Sequence, residues 1–371
     1  MSKCPTCFRP IPVSVEKYSC VGPCEQESPA SLTKQFGHDV LVKPIFDFEV
    51  DACPKCRTAS TVEACPVCHG VIPSEWRDLP APNIKCVVMS GARTTGKSLY
   101  LGVLRQQLEL FTERHGSLLT ALGDTDRIYR ERYGDALYVQ RRILPPTVEV
   151  SRDPHAHQSL IFGIREHGGE QRILVLRDVA GEDLQDLKNR HPQLGFMARA
   201  DAVIAMLDPL KIDELRRVLQ GIVPVGELGG DGVQVLQNLL DLLRDAAGTQ
   251  RSRVPLAVTL SKIDTVQRAR DIEGSSLRPI LVRAGSPLQR DPSMSAWNFD
   301  SRDADLLHYE IDALMRTVMG PKLANVLRQN SETFRYFAVS ALGAAPDGDE
   351  LDDSGIAPFR VLDPVKWILG V

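Results

Sequence analysis

The sequence predicts an α/β protein, a sheet with helices on both faces, preceded by a small cysteine-rich region. Three observations carry this expectation. From Ile84 onward, short apolar runs alternate with stretches of helical periodicity. The first run, Cys86 to Met89, leads directly into Gly91-Ala-Arg-Thr-Thr-Gly96-Lys97-Ser98 and then into an apolar face from Leu99 to Phe111. All nine cysteines lie before residue 87, and eight of them fall in close pairs. The 371 residues suffice for two or three domains. With 43% hydrophobic and 25% charged residues the composition is that of a globular protein, and a net charge of −4 points away from a global nucleic-acid or anionic-membrane surface. No apolar run approaches the ~20 residues of a membrane-spanning helix. The start M-S-K-C-P-T-C has no apolar segment of the secretory kind, so a cytoplasmic location is expected.

Taken in order, residues 1–78 are rich in Cys and Pro and poor in helical periodicity, and residues 79–83 read as a linker because of their paired prolines. Residues 84–371 form the α/β unit, with long insertions at about 112–146 and 266–303. Thr112 to Arg142 is polar and only partly periodic. Ser159 to Arg165 and Arg172 to Asp178 are β-type runs joined by His167-Gly168-Gly169-Glu170, a hairpin signal. Asp183 to Arg190 suits a short helix. Ala202 to Leu207 and Leu256 to Leu260 read as buried strands with the helix Val233 to Ala247 between them. The stretch 266–300 is mixed and reads as a long loop or a partly disordered one. Ala304 to Arg328 reads as one long helix, Phe334 to Val339 as a strand and Pro364 to Leu369 as a last helix.

The cysteine pairs are Cys4/Cys7, Cys20/Cys24, Cys53/Cys56 and Cys65/Cys68, and Cys86 sits in the apolar strand as a small core residue. Without a secretory signal, such pairs read as metal sites rather than disulfides. Eight thiolates supply two closed, structural Cys₄ zinc sites. Sequential pairing, the first four cysteines on one ion and the last four on the other, is the default. An interleaved pairing stays open, as does a pairing of Cys4/Cys7 with Cys65/Cys68, which the repeat C-P-x-C-x-x-x-I-P at Cys4 and Cys65 suggests, and His69, next to Cys68, is an alternative ligand. A protein-docking role for this region is preferred over nucleic acid, since no dense basic-aromatic run is present.

The segment after the first strand has the form GxxxxGK[ST]. Its glycines, with Arg93, Thr94 and Thr95 between them, let backbone N–H groups wrap a phosphate. Lys97 reaches the β- and γ-phosphates, Ser98 takes Mg²⁺, and the following helix aims its N-terminus at the anion. Three further motifs stand at strand ends. Asp178-Val-Ala-Gly181 offers a carboxylate for Mg²⁺ and a glycine N–H for a γ-phosphate. Ser261-Lys262-Ile263-Asp264 offers a carboxylate for the two N–H donors of guanine. Ser340-Ala341-Leu342 offers a backbone N–H for the guanine O6. Thr147, after Pro145-Pro146, is a weaker candidate for a second Mg²⁺ hydroxyl, with Thr120 and Thr125 as competitors.

This set resembles the signature of the Ras-like, translation-factor-related P-loop GTPases over roughly residues 84–371. The tail Arg360-Val-Leu-Asp-Pro-Val-Lys-Trp367 and the cysteine knuckles resemble, more narrowly, the bacterial double-GTPase family of conflict systems. The resemblance implies binding and hydrolysis of GTP with Mg²⁺, a molecular switch, and a protein effector or activator that engages the switch loops or zinc ribbons. It places Lys97, Ser98, Asp178, Gly181, Lys262, Asp264, Ser340 and Ala341 around the nucleotide. Three departures stand out. Ser261 replaces the usual Asn or Thr, Glu182 stands where the water-orienting Gln is expected, and Arg93 occupies a phosphate-loop position that is usually small. Slow turnover is therefore expected, with Glu182, Arg93, Lys97 and Thr147 as the catalytic set. A nucleotide-binding scaffold with negligible turnover, and a nucleic-acid- or ribosome-associated GTPase, are the rival readings. A homodimer is open.

Overall fold

The computed structural model describes residues 2–12, 17–36, 39–47, 52–58, 61–76, 79–145, 158–181, 184, 192–219, 232–346 and 348–371. A three-stranded antiparallel sheet comes first, formed by β1 (Tyr18–Cys20), β2 (Ile45–Phe46) and β3 (Thr61–Glu63) in the order β2-β1-β3. The larger sheet has seven strands: β4 (Ile84–Gly91), β5 (Leu118–Ala121), β6 (Leu160–Arg165), β7 (Gln171–Asp178), β8 (Ala202–Leu207), β9 (Leu256–Leu260) and β10 (Phe334–Ala338). Their order is β10-β9-β8-β4-β7-β6-β5. The strands β7, β4, β8, β9 and β10 run parallel, whereas β6 is antiparallel to β7 and β5 to β6. This mixed sheet is consistent with a P-loop NTPase fold.

The central strands are apolar almost throughout because both faces are covered. Alternation along each strand divides the core in two. Cys86, Val88, Val203, Ala205 and Leu207 face one half, and Val87, Met89, Ile204 and Met206 face the other. The helix Lys97–Arg114 and the C-terminal helix Asp363–Leu369 cover the second half. The first half is covered by Gly232–Ala247 and Ser301–Met319, together with Cys4, Cys7, Phe8, Cys65, Cys68, Ile72 and Trp76 of the cysteine-rich region. Residues 81–83 form a 3₁₀ turn that runs straight into β4.

Three expectations change. The long helix is two, Ser301–Met319 and Lys322–Asn330, because Gly320 takes a positive φ of 66° and Pro321 follows it. Residues 266–300 are not a structureless loop: short helical turns at Arg268–Asp271, Arg278–Leu281 and Pro287–Gln289 bury Leu277, Leu281 and Leu288. The insertion after the phosphate-loop helix holds β5, a short helix Thr125–Tyr129 and a π-helical stretch Arg130–Val139. Gly102 leaves room there: a Cβ on it would meet Leu137 Cδ1 at 2.5 Å. The helix expected at Asp183 to Arg190 lies almost wholly outside the described residues.

The tail acts as a clamp. Arg360 is 1% exposed. Its guanidinium bonds Asp363 Oδ2 at 2.7 Å, the carbonyls of Pro287 and Arg290 at 3.0 Å each, and the Asp303 carboxylate. It ties residues 287–303 to the last helix. Removing the cation strands the buried Asp363 carboxylate and leaves Asp303 with Arg290 alone, and breaking a buried pair in this way typically costs about 3–5 kcal/mol. Arg360→Ala is therefore expected to lower unfolding free energy by roughly that amount in a urea titration. Arg316→Ala, which loses only a half-exposed ion pair with Asp312, should change it by about 1 kcal/mol or less.

Candidate nucleotide site and cysteine centres

The nucleotide candidates converge at the carboxyl ends of the parallel strands, where ligands of such sheets bind. Gly91 ends β4, Asp178 ends β7, Asp208 follows β8, Ser261 and Lys262 follow β9, and Ser340 follows β10. A cavity of about 1220 Å³ opens there, lined among others by Thr94, Thr95, Gly96, Lys97, Ser98, Lys262, Asp264, Ser340 and Ala341.

The phosphate loop needs its glycines. Gly91 has φ 151°, and a Cβ on it would lie 2.5 Å from the Met206 carbonyl oxygen of β8. Gly96 takes the left-handed conformation (φ 87°) that turns the chain into the helix Lys97–Arg114. Lys97 is 5% exposed and its Nζ donates to the carbonyls of Gly91 (2.9 Å) and Ala92 (3.0 Å), so the cation lies inside the loop. Thr95 donates to the Ala92 carbonyl at 2.9 Å, and Thr94 holds a positive φ of 60°. The Ser98 hydroxyl donates to Asp178 Oδ2 at 3.4 Å, bringing together the two groups expected to face one Mg²⁺. Gly181 presses on the loop's back: a Cβ there would sit 2.6 Å from the Ala92 carbonyl carbon and 2.8 Å from the Gly91 oxygen.

At the base end, Lys262 adopts a left-handed conformation (φ 50°) and its ammonium bonds Asp208 Oδ2 at 2.5 Å. Asp264 accepts from the Ser340 hydroxyl at 2.6 Å, and that hydroxyl in turn accepts from the Gly343 N–H at 2.9 Å. Burial raises the Asp264 pKa above the ordinary carboxylate value, and the Ser340 bond opposes the rise. Ser261 donates to the Leu207 carbonyl at 3.2 Å.

Arg93 is exposed and does not line the cavity; its carbonyl accepts from Lys211. Lys211 was not singled out by the sequence, and it lines the cavity with Arg142, Arg216 and Arg217. The one local cue was Asp208-Pro209, which caps the 3₁₀ turn Pro209–Lys211. Thr147 and Glu182 lie outside the described residues. Of their competitors, Thr125 is buried and its hydroxyl bonds the Leu122 carbonyl and the Ile161 N–H, while Thr120 sits on the edge strand β5; neither lines the cavity.

The eight paired cysteines form two groups, Cys4/Cys7/Cys65/Cys68 and Cys20/Cys24/Cys53/Cys56, with all four sulfurs of each within 4.8 Å of one another. The sequential pairing is thus replaced by a nested one. The cause is long-range: β1 pairs β3 with Tyr18 opposite Glu63, which carries Cys20 into the middle of the chain's first 70 residues and leaves Cys4 to meet Cys65. Three knuckles share one geometry. Phe8, Arg57 and His69 follow the second cysteine with φ near 60°, and their N–H groups donate back to Cys4, Cys53 and Cys65. The Sγ···Sγ distances are 3.6 and 3.8 Å in the inner group and 3.6 and 3.7 Å in the outer. A tetrahedron with Zn–S of ~2.3 Å has edges of ~3.8 Å, so both groups can hold zinc. Four buried thiols at this spacing cannot ionise independently. Burial pushes Cys4 up, whereas hydrogen bonds from Cys4, Cys68 and Cys7 pull Cys65 down.

Residues 130–316 match the family described as Double-GTPase 2. The chain belongs to this double-GTPase family. The matched span holds Asp178, Gly181 and Ser261 to Asp264 and begins after the phosphate loop. A Mycolicibacterium smegmatis protein, named as a candidate ESX-1 scaffolding and assembly protein, SaeC, is 39% identical over 317 residues, 84% of this chain and 80% of that one. Among the described residues no helix is long and apolar enough to cross a membrane.

If phosphate is held where the loop and Gly181 meet, Gly181→Ala must displace one of them. Nucleotide affinity is expected to fall about tenfold or more, or ~1.4 kcal/mol, by titration calorimetry. Metal analysis should find two zinc ions per wild-type chain, and Cys65→Ser, whose centre lies in the shared core, should lower Tm more than Cys56→Ser.

Proposed function

We propose that this double-GTPase protein binds GTP and hydrolyses it slowly with Mg²⁺, acting as a switch for a protein partner. The observation that carries the reading is the meeting of Lys97 and Ser98, the latter bonded to Asp178, at one end of a single cavity with Lys262, Asp264 and Ser340 at the other. The order β6-β7-β4-β8-β9-β10, with β6 alone reversed and β5 an added edge, supports a Ras-like reading of the large sheet. Residues 84–371 form that domain in this reading, with two zinc ribbons in residues 1–78, a short connector at 79–83 and a cytoplasmic setting.

Each residue has a definite task. Lys97 leaves the loop carbonyls for the β- and γ-phosphates. Ser98 and Asp178 hold Mg²⁺, which neutralises charge on the phosphate oxygens when bound. Gly181, free of a side chain, lets its N–H approach the γ-phosphate. Asp264 accepts the N1 and N2 protons of guanine, and Ser340 holds the carboxylate in place. Lys262, fixed by Asp208, lies along the base, and the Ala341 N–H meets O6. Thr147 supplies a second Mg²⁺ hydroxyl and Glu182 orients water. Arg93, whose carbonyl is tethered by Lys211, supplies positive charge to the transition state.

A second reading, a nucleotide-holding scaffold without turnover, is favoured by the name of the mycobacterial relative, a scaffolding and assembly protein. Single-turnover assays separate the two, since a scaffold leaves bound GTP intact. Under the switch reading, Arg93→Ala lowers the single-turnover rate at least ~10-fold, about 1.4 kcal/mol of barrier, with affinity nearly unchanged; equal rates remove Arg93 from the chemistry.

Asp264→Asn exchanges an acceptor for a mixed donor and acceptor, so xanthine nucleotides gain on guanine ones in competition titrations. Because burial raises the Asp264 pKa and only the ionised form accepts both protons, guanine affinity should begin to fall at a higher pH than an ordinary carboxylate would dictate as the solution is acidified. Wild-type protein binding ATP as tightly as GTP would refute the guanine assignment.

A further inference from the structure

The inner cysteine centre is not a remote module. Three successive backbone carbonyls of its first knuckle accept hydrogen bonds from the large-sheet unit. Pro5 accepts from the Ser159 hydroxyl at 2.8 Å, Thr6 from the Arg177 guanidinium, and Cys7 from Arg199 Nε at 3.5 Å. The donors are not scattered. Ser159 stands just before β6. Arg177 is the residue before Asp178. Arg199 closes the helical turn Pro192–Arg199 that follows Gly181 in the chain. Ser159 and Arg177 are buried, at 8% and 3% exposure. The Arg177 guanidinium lies 3.6 Å from the centroid of the Phe196 ring, and Phe8 meets that ring edge-on at 5.3 Å. Lys3 adds a bond to the Arg199 carbonyl and an ion pair with Asp201, whose other oxygen accepts the Cys86 N–H of β4.

The outer centre gives a built-in contrast. Among the described residues, the side-chain hydrogen bonds at its cysteines come from within residues 20–58: Lys43 donates to the carbonyls of Gly22 and Cys24, and Cys56 bonds Thr58 at 3.3 Å.

We propose that the inner centre is a positioning element of the nucleotide site, with Arg177 and Ser159 as the positioning residues, so that its metal ion and the nucleotide favour each other's binding. The inference rests on the nucleotide reading given above. The carbonyls point outward only while the knuckle is closed, since the Thr6 N–H is turned inward to the Cys4 sulfur. A metal ion on the four sulfurs keeps the knuckle closed, and the knuckle then fixes the chain on either side of the phosphate end. Coupling of this kind is reciprocal in binding free energy, so GTP must tighten the inner metal by the factor by which the metal tightens GTP, and metal loss is expected to slow at least about fivefold.

The test uses full-length, zinc-loaded protein challenged with a chromogenic chelator, with and without GTP and Mg²⁺, while GTP binding is measured on the same sample by calorimetry. Wild type should release zinc in two phases, and Cys56→Ser, lacking the outer ion, identifies the inner one. GTP is expected to slow that phase at least fivefold. Arg177→Lys and Ser159→Ala should retain the ion and cut the slowing to under twofold. Ser159→Ala removes one hydroxyl and carries the test alone if Arg177→Lys does not fold. GTP binding with an unchanged inner rate overturns the proposal, and so does full slowing in both variants. Protein that binds no GTP overturns the nucleotide reading and this inference with it.

Discussion

The candidate nucleotide site depends on how closely bare backbone approaches bare backbone around the phosphate loop. Gly91 lies against the Met206 carbonyl of β8, and Gly181 lies against Ala92 and Gly91. One extra carbon at either place would push the loop off its neighbour. With both absent, the loop is held by β8 on one side and by the end of β7 on the other. The Lys97 ammonium fills the space between by bonding two loop carbonyls. Asp178 then falls within reach of Ser98 because its strand pairs in register with β4, Met89 opposite Asp178. The geometry at the phosphate end is thus a property of strand register and of two missing side chains, more than of the charged residues that decorate it.

The base end is built differently. Here position comes from side-chain bonds: Lys262 to Asp208, and Asp264 to Ser340 to the Gly343 N–H. The first two bonds each join the end of one strand to the end of its neighbour. Burial leaves Asp264 partly dehydrated, which is why it is held above the usual carboxylate range although the Ser340 bond opposes the rise. A ligand that restores the lost hydrogen bonds gains from this, and one that cannot leaves a buried acceptor unmet.

Much of this was legible in the sequence, for reasons that differ by element. The central strands and the helix Lys97–Arg114 announce themselves through uninterrupted apolar runs and a 3.6-residue period, and the phosphate loop through its glycines. Local signals failed where the cause was distant. Nothing in the spacing of the cysteines says that Tyr18 pairs with Glu63, yet that register decides which cysteines meet. Lys211 reaches a carbonyl 118 residues away by way of a 3₁₀ turn, and no motif marks it. The break at Gly320-Pro321 was written locally, but the apolar period continues across it into Leu323 and Leu327 and masks the stop. In the stretch 266–300 the order comes from partners: Arg360 and Lys366, far along the chain, bond the carbonyls of Pro287, Arg290, Ser293 and Ala296.

The short pairing that closes the cavity's rim draws on both ends of the large-sheet unit. Arg142 bridges Glu350, the Ile143 N–H donates to the Asp349 carbonyl, and the Leu351 N–H donates to that of Arg141. Further in, the Tyr100 hydroxyl on the phosphate-loop helix bonds the Val361 carbonyl at 2.8 Å. During synthesis, the phosphate loop and its helix leave the ribosome about 250 residues before these partners do. The rim can therefore close only after residues 349–361 have been made. Until then the phosphate loop and its helix stand as an open half-site.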